Sequence, residues 1–147
     1  MSTITVKRTI QAPVDRVFAV VADVQGIPDR DPAVESIEFL SAQQSGAGTR
    51  FRETRVQGRR STVTELEVTE QVDGEYARFV SDMGGTVWDT VFSTRSADSG
   101  TELEIRLDAR PHKLLARIAT PLIRGMVRRG MEKHIDSIKA YCETVEA

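Results

Sequence analysis

Residues able to do chemistry are few in this chain, and the densest group lies on one strand-like run. Arg50 to Val56 reads RFRETRV. In a strand alternate side chains share a face, so Phe51, Glu53 and Arg55 fall together, while Arg50, Arg52 and Thr54 fall on the other side. An acid and a base beside an aromatic ring can orient a polar group of a ligand or move a proton. Both must then be buried and paired, because a lone buried charge is costly. The competing reading is that twist or a bulge turns Glu53 and Arg55 to water. The two histidines, His112 and His134, have no partner set that spacing reveals. His134 flanks a helical apolar stripe and reads as a surface or core-edge residue rather than a general base. Metal-type His/Cys spacing, a Gly-rich nucleotide loop and a nucleophile-elbow Ser are all absent. Neither a metal nor a cofactor is therefore expected. Lack of a triad does not exclude a cyclase, which can fold a reactive chain and use a single acid/base group.

The aromatic residues carry a similar choice. Trp88 and Phe92 share a parity with Thr86 and Thr90, and only five Phe and one Trp exist in the chain. They form either an aromatic wall of a ligand cavity or ordinary core, and the same holds for Phe51 and Phe79. Met83, beside Gly84 and Gly85, reads as a turn residue.

These residues sit on elements that the hydrophobic pattern predicts. Strands are expected at 3–10, 34–41, 48–57, 60–73, 76–82, 85–95 and 101–110, divided by turn signals such as Asp73-Gly74 and Ser99-Gly100. In the last strand Leu103, Ile105, Leu107 and Ala109 face one way and Glu102, Glu104, Arg106 and Asp108 the other. That alternation predicts a sheet with one covered and one wet face. After the first strand, Pro13 suits a first helical position, and Val14, Val17, Phe18 and Val21 recur at helical spacing. The run Gly26 to Val34, with two prolines, predicts a turn or a very short helix that ends before Pro32.

The chain ends in a helical stretch from about Pro111 to Val145, with a kink expected at Thr120-Pro121, read as an N-cap followed by Pro at the first helical position. In its second half Met131, Ile135, Ile138, Cys142 and Val145 form one narrow stripe. In its first half the apolar set spreads wider, and Ile118, Leu122 and Met126 are expected to wall a hollow beside Gly125 and Gly130. Short turns join the strands into an antiparallel meander. One long helix covering a strongly curved sheet makes a cavity physically plausible.

Composition narrows the function classes. The 147 residues, 39% apolar and 29% charged, are long enough for a sizeable core and predict a single domain over 1–147. The longest apolar run, Val17 to Ala22, is too short to span a bilayer. The absence of an apolar leader in MSTITVK and the single cysteine, Cys142, predict a cytoplasmic protein. A net charge of −2 argues against a general nucleic-acid binder, yet residues 110–133 hold seven Lys/Arg against one acid. That segment is +6, which leaves −8 on the remainder. Its face is either a solvated helix surface or a contact for anionic lipid or RNA.

The motifs TIQAPVDRVFAVVAD (9–23), GAGTRFRE (46–53), SGTELEIRLDARP (99–111) and RRGMEKHIDSIKAYCE (128–143) occur in an order and spacing that resembles the START-like, or SRPBCC, superfamily, and within it the polyketide cyclase/dehydrase-like group. The resemblance implies an α+β helix-grip fold: a seven-stranded curved antiparallel sheet around a long C-terminal helix, with two short helices after the first strand and an apolar cavity between sheet and helix. It implies a small hydrophobic ligand, such as a lipid, polyketide or quinone, with cyclase, aromatase or dehydratase chemistry as the alternative. One position departs from the pattern. Asp31-Pro32 stands where many members carry an aromatic residue before the proline. With this resemblance, Phe51, Glu53, Arg55, Phe79, Trp88, Phe92, Ile118, Leu122 and Met126 become the expected ligand contacts. Binding without catalysis is the first expectation, peripheral membrane contact a secondary one, and the oligomeric state is left open.

Overall fold

The computed structural model describes residues 2–145. Strand β1 (Ser2–Ile10) is followed by helices α1 (Val14–Ala22) and α2 (Ile27–Arg30). Six strands follow: β2 (Val34–Phe39), β3 (Arg50–Gln57), β4 (Arg60–Val72), β5 (Tyr76–Met83), β6 (Thr86–Ala97) and β7 (Gly100–Pro111). Helices α3 (Leu114–Leu122) and α4 (Arg124–Val145) end the chain. The strands form one sheet in the order β1-β7-β6-β5-β4-β3-β2, antiparallel throughout. This is the α+β helix-grip arrangement: each strand from β2 onward turns back on its neighbour, and β1 closes against the last strand.

The alternation in the sequence sets the two faces. Ile4, Val6 and Ile10 of β1 and Leu103, Ile105 and Leu107 of β7 are buried under the helices. Helix α1 buries Val17, Phe18 and Val21, and its first helical residue is Val14, one after Pro13. Along α4, Ile135, Ile138 and Cys142 are buried and Met131 is packed against the same core; the side chain of Val145 lies outside the described residues. Polar contacts fix this half of α4 on β1. Arg8 Nε donates to Asp136 at 2.8 Å, and Lys139 Nζ donates to the Thr9 carbonyl at 2.7 Å. The backbone N–H of Gln11 donates to Glu143 at 2.8 Å. Gly100, at φ +145°, makes the β6–β7 turn where a Cβ would lie 2.2 Å from the Ile10 carbonyl oxygen.

The outer face is held by charge. Asp89, buried on β6, accepts two bonds from Arg78, at 2.9 and 2.6 Å, and one from Arg110 at 3.1 Å. Arg78 also pairs with Glu70. A register shift in β4 between Val68 and Glu70 puts Glu70 on this face although Leu66 and Val68 point to the core. Hydrogen bonds from Arg78, and behind them from Arg110, hold the Asp89 carboxyl below its usual range against the opposing effect of burial.

The C-terminal break differs from expectation. Thr120 does not cap a helix starting at Pro121; Pro121 lies inside α3, and the interruption falls at Ile123. The reason is tertiary. Thr120 is buried with its hydroxyl 3.1 Å from that of Thr86, so it is engaged by the sheet rather than by a helix N-terminus. Pro121 still withdraws the N–H that would extend α3 regularly, and the chain restarts one turn later.

Candidate functional site

Strand β3 pairs with β4 without interruption from Arg50↔Glu67 to Gln57↔Arg60. No bulge intervenes, so Glu53 and Arg55 keep the face of Phe51 and point under the helices. Between that face and the first half of α4 lies a cavity of about 320 Å³. Phe51, Phe79 and Phe92 form its aromatic wall, meeting edge to face at centroid distances of 6.2 and 5.4 Å. Ile27, Leu66, Ile105, Val127 and Met131 add aliphatic surface, and Arg30, Glu53, Arg55 and Gln57 add polar groups. The ring of His134 stands edge to face against Phe92, with centroids 5.8 Å apart. A second hollow of about 450 Å³ shares Arg55, Gln57, Gly130 and His134 with the first and adds Asp31, Pro32 and Lys133.

The polar end is built around Asp31, whose side chain is only 7% exposed. One carboxylate oxygen, Oδ2, lies 3.0 Å from His134 Nδ1 and 3.1 Å from an Arg55 terminal nitrogen. The other, Oδ1, accepts the Ala33 backbone N–H at 3.1 Å. Arg55 also donates to Glu53 through Nε and Nη2, at 3.3 and 3.2 Å. Burial by itself pushes the Asp31 carboxyl up. The hydrogen bond with His134 and the charge of Arg55 outweigh it and keep the carboxyl well below the usual carboxylate range. An ionised Asp31 accepts, so His134 donates from Nδ1, and neutral imidazole then carries its lone pair on Nε2. Among the described residues Nε2 has no hydrogen-bond partner. A base oriented by a buried carboxylate, beside a guanidinium and an aromatic wall, can hold a polar group or accept a proton.

The structure brings Phe51, Glu53, Arg55, Phe79 and Phe92 together around one cavity. Trp88 lies outside its lining; it is half-buried, nearer the β5–β6 hairpin, and its Nε1–H donates to the Met83 carbonyl at 3.3 Å. Ile118, Leu122 and Met126 also lie outside it, and all three are exposed to solvent. The cause is the rotation of α3. Its packed residues are Ala116 and Thr120, which turns Ile118 and Leu122 away from the sheet. Sequence reasoning missed Asp31 and His134 as partners. The signal that pointed there was the polar Asp31 in a position expected to be aromatic.

A larger hollow, about 550 Å³, lies elsewhere, between β7 and α3, where Arg110, Arg117 and Arg124 line it. It lacks aromatic walls and does not suit an apolar molecule. Among the described residues no group of three His, Cys, Asp or Glu side chains is placed to hold a metal ion.

The sequence model of the family described as polyketide cyclase / dehydrase and lipid transport matches residues 1–143. No curated protein matches significantly. Among solved structures, TTHA0849 from Thermus thermophilus is 20% identical, with a TM-score of 0.80 over 99% of this chain and 100% of that one. A START superfamily protein from Mycobacterium smegmatis is 13% identical, with a TM-score of 0.79 over 97% and 98%. The di-domain ARO/CYC StfQ from the steffimycin biosynthetic pathway is 13% identical, with a TM-score of 0.81; the match covers 98% of this chain and 51% of StfQ. At these identities the likeness is one of fold.

Proposed function

Because this chain belongs to the polyketide cyclase / dehydrase and lipid transport family, we propose that it acts as a single START-like domain over 1–147 that binds or carries one small, largely apolar molecule between the sheet and the first half of α4. The observation that carries this reading is an aromatic cavity with a built polar end. The apolar body of the ligand packs on Phe51, Phe79 and Phe92. Its polar group faces Arg55, Glu53 and His134.

Arg30 narrows the chemistry of that polar group. It is buried, lines the cavity, and among the described residues donates to the carbonyls of Asp23 and Val21, at 2.8 and 3.5 Å. Its Nε is buried with no hydrogen-bond partner among the described residues, and burial lowers its pKa. A carboxylate or carbonyl oxygen on the ligand suits a cavity wall that carries this guanidinium. Fatty-acid-like, quinone-like and polyketide-like molecules all fit that description. Native mass spectrometry and organic extraction of the purified protein, followed by NMR titration with a fatty acid and a quinone, test it. A one-to-one complex that shifts Phe79, Phe92 and His134 resonances is expected. If nothing apolar co-purifies and neither probe moves those resonances, the reading is wrong.

The Asp31–His134 pair favours a second reading, cyclase- or dehydratase-type chemistry. Here His134 Nε2 takes a proton from a carbon next to a ketone. The remaining N–H groups of Arg55 face the oxygen on which the enolate charge collects. Deuterium uptake from heavy water at that carbon of a bound aromatic ketone is the direct test. Uptake lost in His134→Gln supports the reading; no uptake above the buffer rate in the wild type rejects it.

A further inference from the structure

Helix α3 is amphipathic in the reverse sense. The residues it buries are small, Ala116 and Thr120. Its large apolar side chains point outward: Leu114, Leu115, Ile118 and Leu122 are 75%, 80%, 60% and 81% exposed, and Met126 on α4 is 55% exposed. Leu115, Ile118 and Leu122, at i, i+3 and i+7, form one stripe. Single exposed apolar residues need no explanation, but four on one helix with a fifth at the start of the next do. Basic residues flank it, with Lys113, Arg117, Arg128 and Arg129 all exposed. Beside them the groove between β7 and α3 is lined by Arg110, Arg117 and Arg124.

Charge decides which partner fits. The segment 110–133 is +6 on a chain of net charge −2. In a symmetric dimer built on this face, two such segments would meet and repel. An anionic bilayer complements both features, because cations settle at the phosphate level and an apolar stripe enters the acyl boundary. Among the described residues no helix is long and apolar enough to cross a membrane, so the contact is peripheral. We propose that α3 and the first turn of α4 dock this protein on an anionic lipid surface, with α3 lying in the plane of the interface. Val127, next to Met126, lines the aromatic cavity, so docking holds that wall beside the bilayer. The proposal stands on the surface alone, whatever the cavity binds.

Co-sedimentation of the full chain with phosphatidylglycerol-containing and pure phosphatidylcholine vesicles tests it. Binding to the former, weakened by salt, and little to the latter is expected. Each basic residue at such a surface is worth about fivefold in partitioning, so Arg117→Glu/Arg128→Glu/Arg129→Glu should lower it by about a hundredfold or more. Leu115→Ser/Ile118→Ser/Leu122→Ser changes only exposed positions and should keep the melting temperature while lowering vesicle binding about tenfold or more. The proposal is overturned by absence of binding to the anionic vesicles, or by equal binding to both vesicle types. It also fails if the serine variant binds like wild type while heparin competes fully, which would mark a polyanion site. Dimers in solution that Leu122→Glu dissociates would assign the face to self-association and overturn it as well.

Discussion

Asp31→Asn is the substitution that most directly probes the polar end of the cavity. The carboxylate is 7% exposed and serves three donors: His134 Nδ1 at 3.0 Å, Arg55 at 3.1 Å and the Ala33 N–H at 3.1 Å. Asparagine keeps the shape but can present only one oxygen. If that oxygen stays on Ala33, its NH₂ group faces the donors on Arg55 and His134. His134 can shift its proton to Nε2, and Arg55 retains Glu53, so the net loss is about one charge-assisted hydrogen bond, ~2 kcal/mol. Removing one partner of a fully buried pair costs more, about 3–5 kcal/mol; partial exposure of Arg55 and His134 argues for the lower figure. For a chain of this size the shift in Tm is about 4–8 °C. The pH dependence gives a second, independent check. A carboxyl whose folded pKa lies below its unfolded one, about 4, stabilises the fold above that value and loses the contribution as pH falls toward the folded pKa. The gap between wild type and Asp31→Asn should therefore narrow as pH falls below about 4 toward the folded pKa of Asp31. Urea midpoints at a series of pH values, with the m value unchanged, measure it. A cost under about 0.5 kcal/mol, or a gap that stays constant to about pH 2, would refute the placement of Asp31 as a buried, ionised hub.

Three further outcomes are expected. A Cβ at Gly130 meets nothing within 4 Å, and its position in the interior of α4 carries an entropic cost; Gly130→Ala should raise stability by about 0.5–1 kcal/mol in urea denaturation, while Gly130→Phe, at a position that lines both hollows, should weaken uptake of a fatty-acid probe without unfolding the chain. Asp89→Ala leaves Arg78 and Arg110 without their shared carboxylate and should cost about 2–3 kcal/mol, the partial exposure of both arginines limiting the loss. Gly100→Ala places a methyl group against the Ile10 carbonyl at a φ that L residues avoid, and should cost about 2 kcal/mol or more by the same assay.

How far such residues can be located without coordinates depends on whether their neighbours are local. Strand faces are local, because period two is written into LEIRL and RFRET, and the ladder from Arg50↔Glu67 onward transmits it unbroken. The grouping of Phe51, Glu53 and Arg55 was therefore legible. Asp31 and His134 lie 103 positions apart, and nothing in either neighbourhood names the other. Only the polar residue before Pro32, in a fold expected to carry an aromatic there, pointed to a difference at that corner. Glu70 shows the opposite failure. Parity alone would place it with Leu66 and Val68, and the register shift in β4 moves it to the outer face beside Arg78.

The rotation of α3 is the step where the ordinary rule, apolar residues inward, gives the wrong answer, and the reason bears on function. A helix takes the phase that satisfies its strongest tertiary contacts. Here the Thr120–Thr86 hydroxyl pair and the small Ala116 permit close approach to the hairpin end of the sheet. Placing the Leu115, Ile118 and Leu122 stripe inward instead would put three large side chains where only small ones fit, and would leave Thr86 buried without its present partner. The outward phase leaves about 1.5–3 kcal/mol of hydrophobic stabilisation unclaimed for each large residue. Folding alone gives no cause for leucine and isoleucine there rather than lysine or glutamate. A surface that accepts the stripe and the flanking arginines together gives that cause.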